Sequence, residues 1–121
     1  MIKGIGIDLV DLERMKKFLT RHSDKSLEKV FTKNELKLKE RPERLAGRFA
    51  AKEALSKALG TGLGAQIWFN EIEVENEENG RPKFVMTHKL QKILQKEVGA
   101  KKAMLSISHE KSVVTAIVIL E

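Results

Sequence analysis

Between Gly4 and Asp11 large apolar residues alternate with small or acidic ones. In an extended segment Ile5, Ile7 and Leu9 fall on one face and Gly4, Gly6 and Asp8 on the other. The second face is nearly bare, so another backbone or a ligand can approach it closely. Asp11 suits an N-cap for "LERMKKFLTRH", in which Met15, Phe18 and Leu19 make an apolar stripe and Arg14, Lys17 and Arg21 a basic row beside it. From Ser26 to about Arg41 the pattern is irregularly helical, and Thr32 followed by Glu35 has capping-box spacing. Pro42 suits the first turn of a long alanine-rich helix that ends at Gly60, with "GTGLG" following as loop.

The second half of the chain changes period. "IWFNEIEVENE" alternates as a strand from about Ile67 to Glu75, and "ENG" turns into a second strand, "RPKFVM". "THKLQKILQKEVG" has the pattern of a short amphipathic helix between a Thr87 cap and Gly99. "KAMLSISHE" and "SVVTAIVILE" form a hairpin whose last strand is apolar on both faces, as expected of a sheet centre or a subunit interface. No repeat or linker interrupts this order. The expectation is one α+β domain over residues 1–121, with a mainly antiparallel sheet packed on the long helix.

Composition narrows the classes. The 121 residues carry 23 Lys and Arg against 17 Asp and Glu, and the formal charge of +6 favours an anionic partner. With no cysteine there is no disulfide framework, thiolate zinc site or cysteine nucleophile. No signal-peptide pattern and no membrane-spanning apolar run is found, so a cytoplasmic protein is expected, with no membrane partner.

On the long helix Leu45, Phe49, Glu53 and Lys57 step by four, and Ala50 and Ala54 flank Glu53 with little bulk. Glu53 therefore lies beside the apolar stripe. An ordinary i,i+4 Glu–Lys surface pair would also look this way, and would contribute only about a few tenths of a kcal/mol. Asp8, on a strand bared by glycines, is either an edge guard or a ligand group. Taken together, Asp8 and Glu53 suit a hard divalent cation such as Mg²⁺, which takes one or two protein carboxylates beside water and phosphate oxygens. Lys57, one turn from Glu53, would then reach a phosphate on that metal. "GTGLG" lacks P-loop spacing and is ordinary as a helix C-cap. His109, on the strand face shared by Leu105 and Ile107, is either structural or a donor to an anionic ligand, as Ser106 and Ser108 are from the opposite face.

Five segments in this order resemble the holo-acyl-carrier-protein synthases, the small bacterial type of the 4′-phosphopantetheinyl transferase family. They are "GIGIDLVDLERM", "FTKNE", "RFAAKEALSKALGTGLG", "NGRP" and "LSISHE", and they span most of the chain. Lys33 stands where an acidic residue is common in that family, and Val113 and Val114 where tyrosine and alanine are frequent. The resemblance implies transfer of 4′-phosphopantetheine from coenzyme A to a serine of apo acyl carrier protein, releasing adenosine 3′,5′-bisphosphate, for fatty acid biosynthesis. It implies Asp8 and Glu53 as Mg²⁺ ligands, and Lys57 as a contact to the coenzyme A phosphates. His109 and the Gly62 to Gly64 loop would belong to the nucleotide pocket, with Arg48 nearby. It also implies a homotrimer with active sites between neighbouring subunits. Such a reaction leaves the base open between Glu53 and a water on the metal.

In that setting Arg14, Lys17 and Arg21, with Met15 and Phe18, would dock an acidic amphipathic helix of the carrier protein, where otherwise the row is a solvated helix face. A basic module that binds nucleic acid would use the same charge. One tryptophan, five phenylalanines and no tyrosine give it little to stack bases on, and it leaves Asp8 and Glu53 unexplained, so no nucleic-acid partner is expected. A structural trimer that merely binds coenzyme A would have no use for the full Asp8, Glu53 and Lys57 set.

Overall fold

The computed structural model describes residues 1–60 and 66–121. Strand β1 (Gly4–Asp11) leads into helix α1 (Leu12–Arg21), two single-turn helices α2 (Asp24–Leu27) and α3 (Lys33–Leu36), and the long helix α4 (Pro42–Leu59). A 3₁₀ turn (Phe69–Glu71) precedes β2 (Val74–Asn76) and β3 (Pro82–Phe84), then helix α5 (His88–Val98) and the hairpin β4 (Ala103–Glu110) and β5 (Val113–Leu120). The strands form a three-stranded antiparallel sheet in the order β1-β5-β4 and a separate antiparallel β2-β3 pair. The architecture is the expected α+β one, with the larger sheet packed on α4.

The helix boundaries follow local chemistry. The Asp11 carboxylate accepts from the Glu13 N–H at 3.0 Å, and Thr32 and Glu35 close the capping box in both directions. Pro42 occupies the first turn of α4, and Gly60 ends it in the left-handed conformation that a residue with a Cβ adopts reluctantly. The strand expected from Ile67 to Glu75 is only three residues long. The Glu71 carboxylate accepts from the Trp68 N–H at 3.0 Å and winds the first part into the 3₁₀ turn, a local side-chain bond that outcompetes extension.

β5 is the sheet centre. Its Val114, Ala116, Val118 and Leu120 are buried, whereas Thr115, Ile117 and Ile119 are half-buried on the outer face. On β1 the bare face turns inward and the apolar face outward: Ile5, Ile7 and Leu9 are 61%, 58% and 68% exposed. Backbone lies on backbone at the inward face. A Cβ on Gly6 would fall 1.9 Å from the Ala54 carbonyl oxygen, and one on Gly4 would fall 2.2 Å from that of Ala58. The alanines on the helix complete the close approach, since Ala50, Ala54 and Ala58 are all buried.

The buried stripe of α4 runs Leu45, Arg48, Lys52, Leu55 and Leu59, so two cations lie among the leucines. Lys52 survives there because its ammonium is saturated: it donates to Glu35 Oε1 at 2.6 Å, to the Val30 carbonyl at 2.8 Å and to the Phe69 carbonyl at 2.9 Å. Glu35 is matched in turn, accepting from the Thr32 N–H at 3.0 Å and the Val74 N–H at 2.9 Å. Burial lowers the Lys52 pKa and the Glu35 charge opposes that shift.

The β1–α4 contact leaves no room for a side chain at Gly6. Gly6→Ala is expected to destabilise the fold by about 3 kcal/mol, the upper part of the usual overpacking range. Urea denaturation monitored by circular dichroism checks this; an unchanged midpoint would show that the strand can back away from the helix.

Candidate active site

Asp8 follows Gly4 and Gly6 on the inward face of β1, where α4 presents Glu53 and Lys57 rather than an alanine backbone. The Lys57 ammonium donates to Asp8 Oδ1 and to the Ile7 carbonyl, both at 3.1 Å. It thus reaches across to the strand, which a simple i,i+4 surface pair with Glu53 would not require. The Thr115 hydroxyl donates to the Asp8 carbonyl at 2.9 Å and ties this point of β1 to the sheet centre.

Glu53 is half-buried, and its carboxyl is pushed above the ordinary glutamate value first by desolvation and then by the Asp8 charge, with Lys57 pulling the other way. A carboxyl whose ionisation is opposed by a neighbouring carboxylate suits a cation placed against both. Among the described residues no three His, Cys, Asp or Glu side chains gather as a metal site, so this pair would be the whole protein share. Mg²⁺ fits such a share, since it retains waters and completes its shell with substrate phosphate oxygens.

Asp8 and Glu53 line a cleft of about 450 Å³ whose other walls include Arg14, Met15 and Phe18 of α1, and Phe49. Three of the five residues expected to dock a partner therefore stand at the same cleft as the carboxylates. Lys17 and Arg21 are exposed on α1 outside it.

Arg48 and His109 meet in a second cleft, of about 340 Å³, together with Arg41, Arg44 and Asn76. Within one chain the expected nucleotide residues are thus divided, with Lys57 beside the carboxylates and Arg48 and His109 in a separate basic cleft. The Arg48 guanidinium donates from Nη2 to Asn76 Oδ1 at 2.7 Å, and its buried Nε has no acceptor among the described residues. Burial lowers the Arg48 pKa from its ordinary value, the Glu35 charge opposes this and the Arg44 charge adds to it. Gly62 and Gly64 lie outside the described residues.

Sequence reasoning missed Arg41, Arg44 and Asn76. A signal for the arginines was present, because Arg41, Arg44 and Arg48 recur at helical spacing around Pro42. Asn76 carried none, since only the folded hairpin brings it to Arg48.

The raised pKa of Glu53 has a testable sign. Its contribution to stability is fully present in acid and is lost as pH climbs above the ordinary value of 4.5 and through the raised one. In EDTA, Glu53→Gln should melt modestly above the parent at neutral and alkaline pH, and the two should converge in acid. Thermal denaturation across pH checks this, and a constant difference at every pH would contradict the electrostatic origin.

Comparison with known proteins now bears on this geometry. Residues 4–118 match the family model of the 4′-phosphopantetheinyl transferase superfamily. The chain is 42% identical to a holo-[acyl-carrier-protein] synthase of Bacillus cereus, across all of this chain and 97% of that protein. Its structure is similar to the crystal structure of the holo-[acyl-carrier-protein] synthase from Neisseria meningitidis, with a TM-score of 0.87 and 34% identity over 100% of this chain and 99% of that one. It is also similar to the synthase from Bacillus anthracis solved in complex with coenzyme A (3′,5′-ADP), with a TM-score of 0.79 and 40% identity over 100% of this chain and 97% of that one. With the match running through both clefts and nearly end to end, the chain belongs to the 4′-phosphopantetheinyl transferase superfamily.

Proposed function

We propose that this chain is a holo-acyl-carrier-protein synthase, transferring 4′-phosphopantetheine from coenzyme A to a serine of apo acyl carrier protein and releasing adenosine 3′,5′-bisphosphate, in the service of fatty acid biosynthesis. The observation that carries this reading is the junction of Asp8, Glu53 and Lys57 beside a cleft walled by Arg14 and the apolar side chains of α1. Its relatives among the holo-[acyl-carrier-protein] synthases support the same reaction.

The carrier serine oxygen attacks the phosphorus that bears pantetheine; the new P–O bond forms as the bond to the nucleotide's bridging oxygen breaks, and the serine proton leaves. Bound between Asp8 and Glu53, Mg²⁺ would neutralise charge on the pyrophosphate. Lys57, already beside Asp8, adds a second positive charge where the leaving phosphate gathers negative charge. Glu53 and water in the cleft are the two groups suited to receive the serine proton. Arg48 and His109 in the basic cleft hold the nucleotide end. Arg14, Lys17 and Arg21 steer the acidic carrier and half-buried Phe18 supplies apolar contact, whereas Met15, expected to join it, is packed in the core beneath α1.

The division of the site between two clefts supports a homotrimer, in which the Asp8 cleft of one subunit meets the Arg48 cleft of a neighbour. The outward face of Ile5, Ile7 and Leu9, adjoining half-buried Ile117 and Ile119, gives such an assembly an apolar surface to bury. No helix among the described residues is long and apolar enough to cross a membrane.

Incubating the protein with apo acyl carrier protein, coenzyme A and Mg²⁺ should add one phosphopantetheine to the carrier by intact-mass spectrometry, and EDTA should prevent it. No mass gain across several carriers would refute the reading. Asp8→Ala and Glu53→Gln should each lower turnover by about 10²-fold or more while leaving the fold intact; near-normal rates at saturating Mg²⁺ would remove both from the metal site.

Arg14→Ala tests the docking face separately. It should raise the KM for the carrier much more than that for coenzyme A in steady-state kinetics, and equal changes in both would count against docking on α1.

A further inference from the structure

Lys52 and Glu35 are buried to within 1% of complete, and the transfer just described uses neither. A buried ion pair is seldom an efficient stabiliser, because apolar side chains of similar volume often do as well. What an apolar pair lacks is direction. The two oxygens of Glu35 point to different partners: Oε1 meets Lys52 and the Thr32 N–H, while Oε2 accepts the Val74 N–H at 2.9 Å. Val74 is the first residue of β2 and Asn76 the last. The Asn76 amide is held at both ends, its oxygen accepting from Arg48 Nη2 at 2.7 Å and its nitrogen donating to the Gly80 carbonyl at 2.9 Å. An unbroken line of directed bonds therefore runs from the middle of α4, out through α3 and β2, and back to the α4 arginine in the basic cleft.

We propose that the Lys52–Glu35 pair and Asn76 are positioning residues for the Arg48 guanidinium, Asn76 at the cleft wall and the buried pair behind it, and that they set affinity for the nucleotide end of coenzyme A. This rests on the reading of the Arg48 cleft as the nucleotide site. Arg48 and Lys52 are successive members of one helical stripe, so the helix alone fixes their spacing but leaves a long guanidinium arm to be aimed. β2 and β3 are three residues each, their register closed by the Val85 N–H to the Glu73 carbonyl and the Glu77 N–H to the Arg81 carbonyl, both at 2.8 Å, and the Glu35 bond to Val74 ties this short pair to α3. Lys52 also holds the Val30 carbonyl, and Val30 lines the carboxylate cleft. The same ammonium thus anchors a wall of each half of the site.

Isothermal titration with adenosine 3′,5′-bisphosphate as the probe, alongside steady-state kinetics for both substrates, tests this. Asn76→Ala should weaken the probe by about tenfold, the loss expected for one hydrogen bond to a charged group. It should raise the KM for coenzyme A in proportion while leaving that for the carrier unchanged. Asn76→Gln, which keeps a neutral acceptor oxygen for Arg48, should recover part of the affinity. The double variant K52M/E35Q, which avoids leaving a lone buried charge, should show the same loss of probe affinity. Parent-like probe affinity in Asn76→Ala overturns the proposal, whether or not the double variant folds; so does a parent-like result in a folded double variant. A parent protein that does not bind the probe at all overturns the nucleotide reading itself, and positioning falls with it.

Discussion

The structure turns on the contact of one strand backbone with one helix backbone. Gly4 and Gly6 have no side chain, and Ala54 and Ala58 almost none, so β1 settles onto α4 until carbonyl oxygens stand where Cβ atoms would be. That separation decides where Asp8 goes. It is the first residue on the inward face with a side chain, and by its position along the strand α4 offers Glu53 and Lys57. Bulkier residues at the glycines would move Asp8 away from Glu53 by ångströms, and a shared cation would not tolerate that movement. Packing and chemistry are thus one constraint in this protein.

A second constraint concerns charge. α4 carries cations in its buried stripe and an anion on its half-buried side, and each finds a different resolution. Lys52 is saturated by one carboxylate and two carbonyls. Arg48 is only partly satisfied by Asn76, which leaves capacity for a ligand in its cleft. Glu53 is left with a carboxyl that resists ionisation beside Asp8. Groups with complete partners hold the fold; groups with incomplete ones face the clefts. Functional sites are where such shortfalls are expected to concentrate.

Much of this was legible in the residues. The helices were readable because caps and periodicity are local: Asp11, Thr32 with Glu35, and Gly60 each mark a boundary through a bond within a few residues, and Pro42 marks one through its fixed φ and missing N–H. The pairing of Asp8 with Glu53 was readable because small residues flank both and advertise close approach. The strand around Ile67 was misread because alternation cannot reveal that Glu71 will bond the Trp68 amide. Glu35 was seen only as a capping residue, since its second oxygen meets an amide thirty-nine positions away. Lys52 was overlooked although it falls at stripe spacing with Leu45, Leu55 and Leu59, because a lysine is ordinarily assigned to solvent. The division of Arg48 and His109 from the carboxylates depends on the tertiary arrangement and leaves no trace in spacing.

The period of two along β1 links the site to the assembly proposed for it. Alternation that bares Gly4 and Gly6 toward α4 necessarily sends Ile5, Ile7 and Leu9 to the outer face, beside Ile117 and Ile119 of β5. Reversing the strand's facing would bury the isoleucines but force their side chains into the Ala54 and Ala58 backbone, and would carry Asp8 out to solvent. A polar outer face would leave the inner geometry intact, so the inner site alone does not demand those isoleucines. Their presence is accounted for when the outer face is itself covered by other copies of the chain, as proposed. The basic cleft of a neighbouring subunit can then be brought to the Asp8 and Glu53 pair. In this reading one strand supplies a carboxylate from one face and the surface that completes the site from the other.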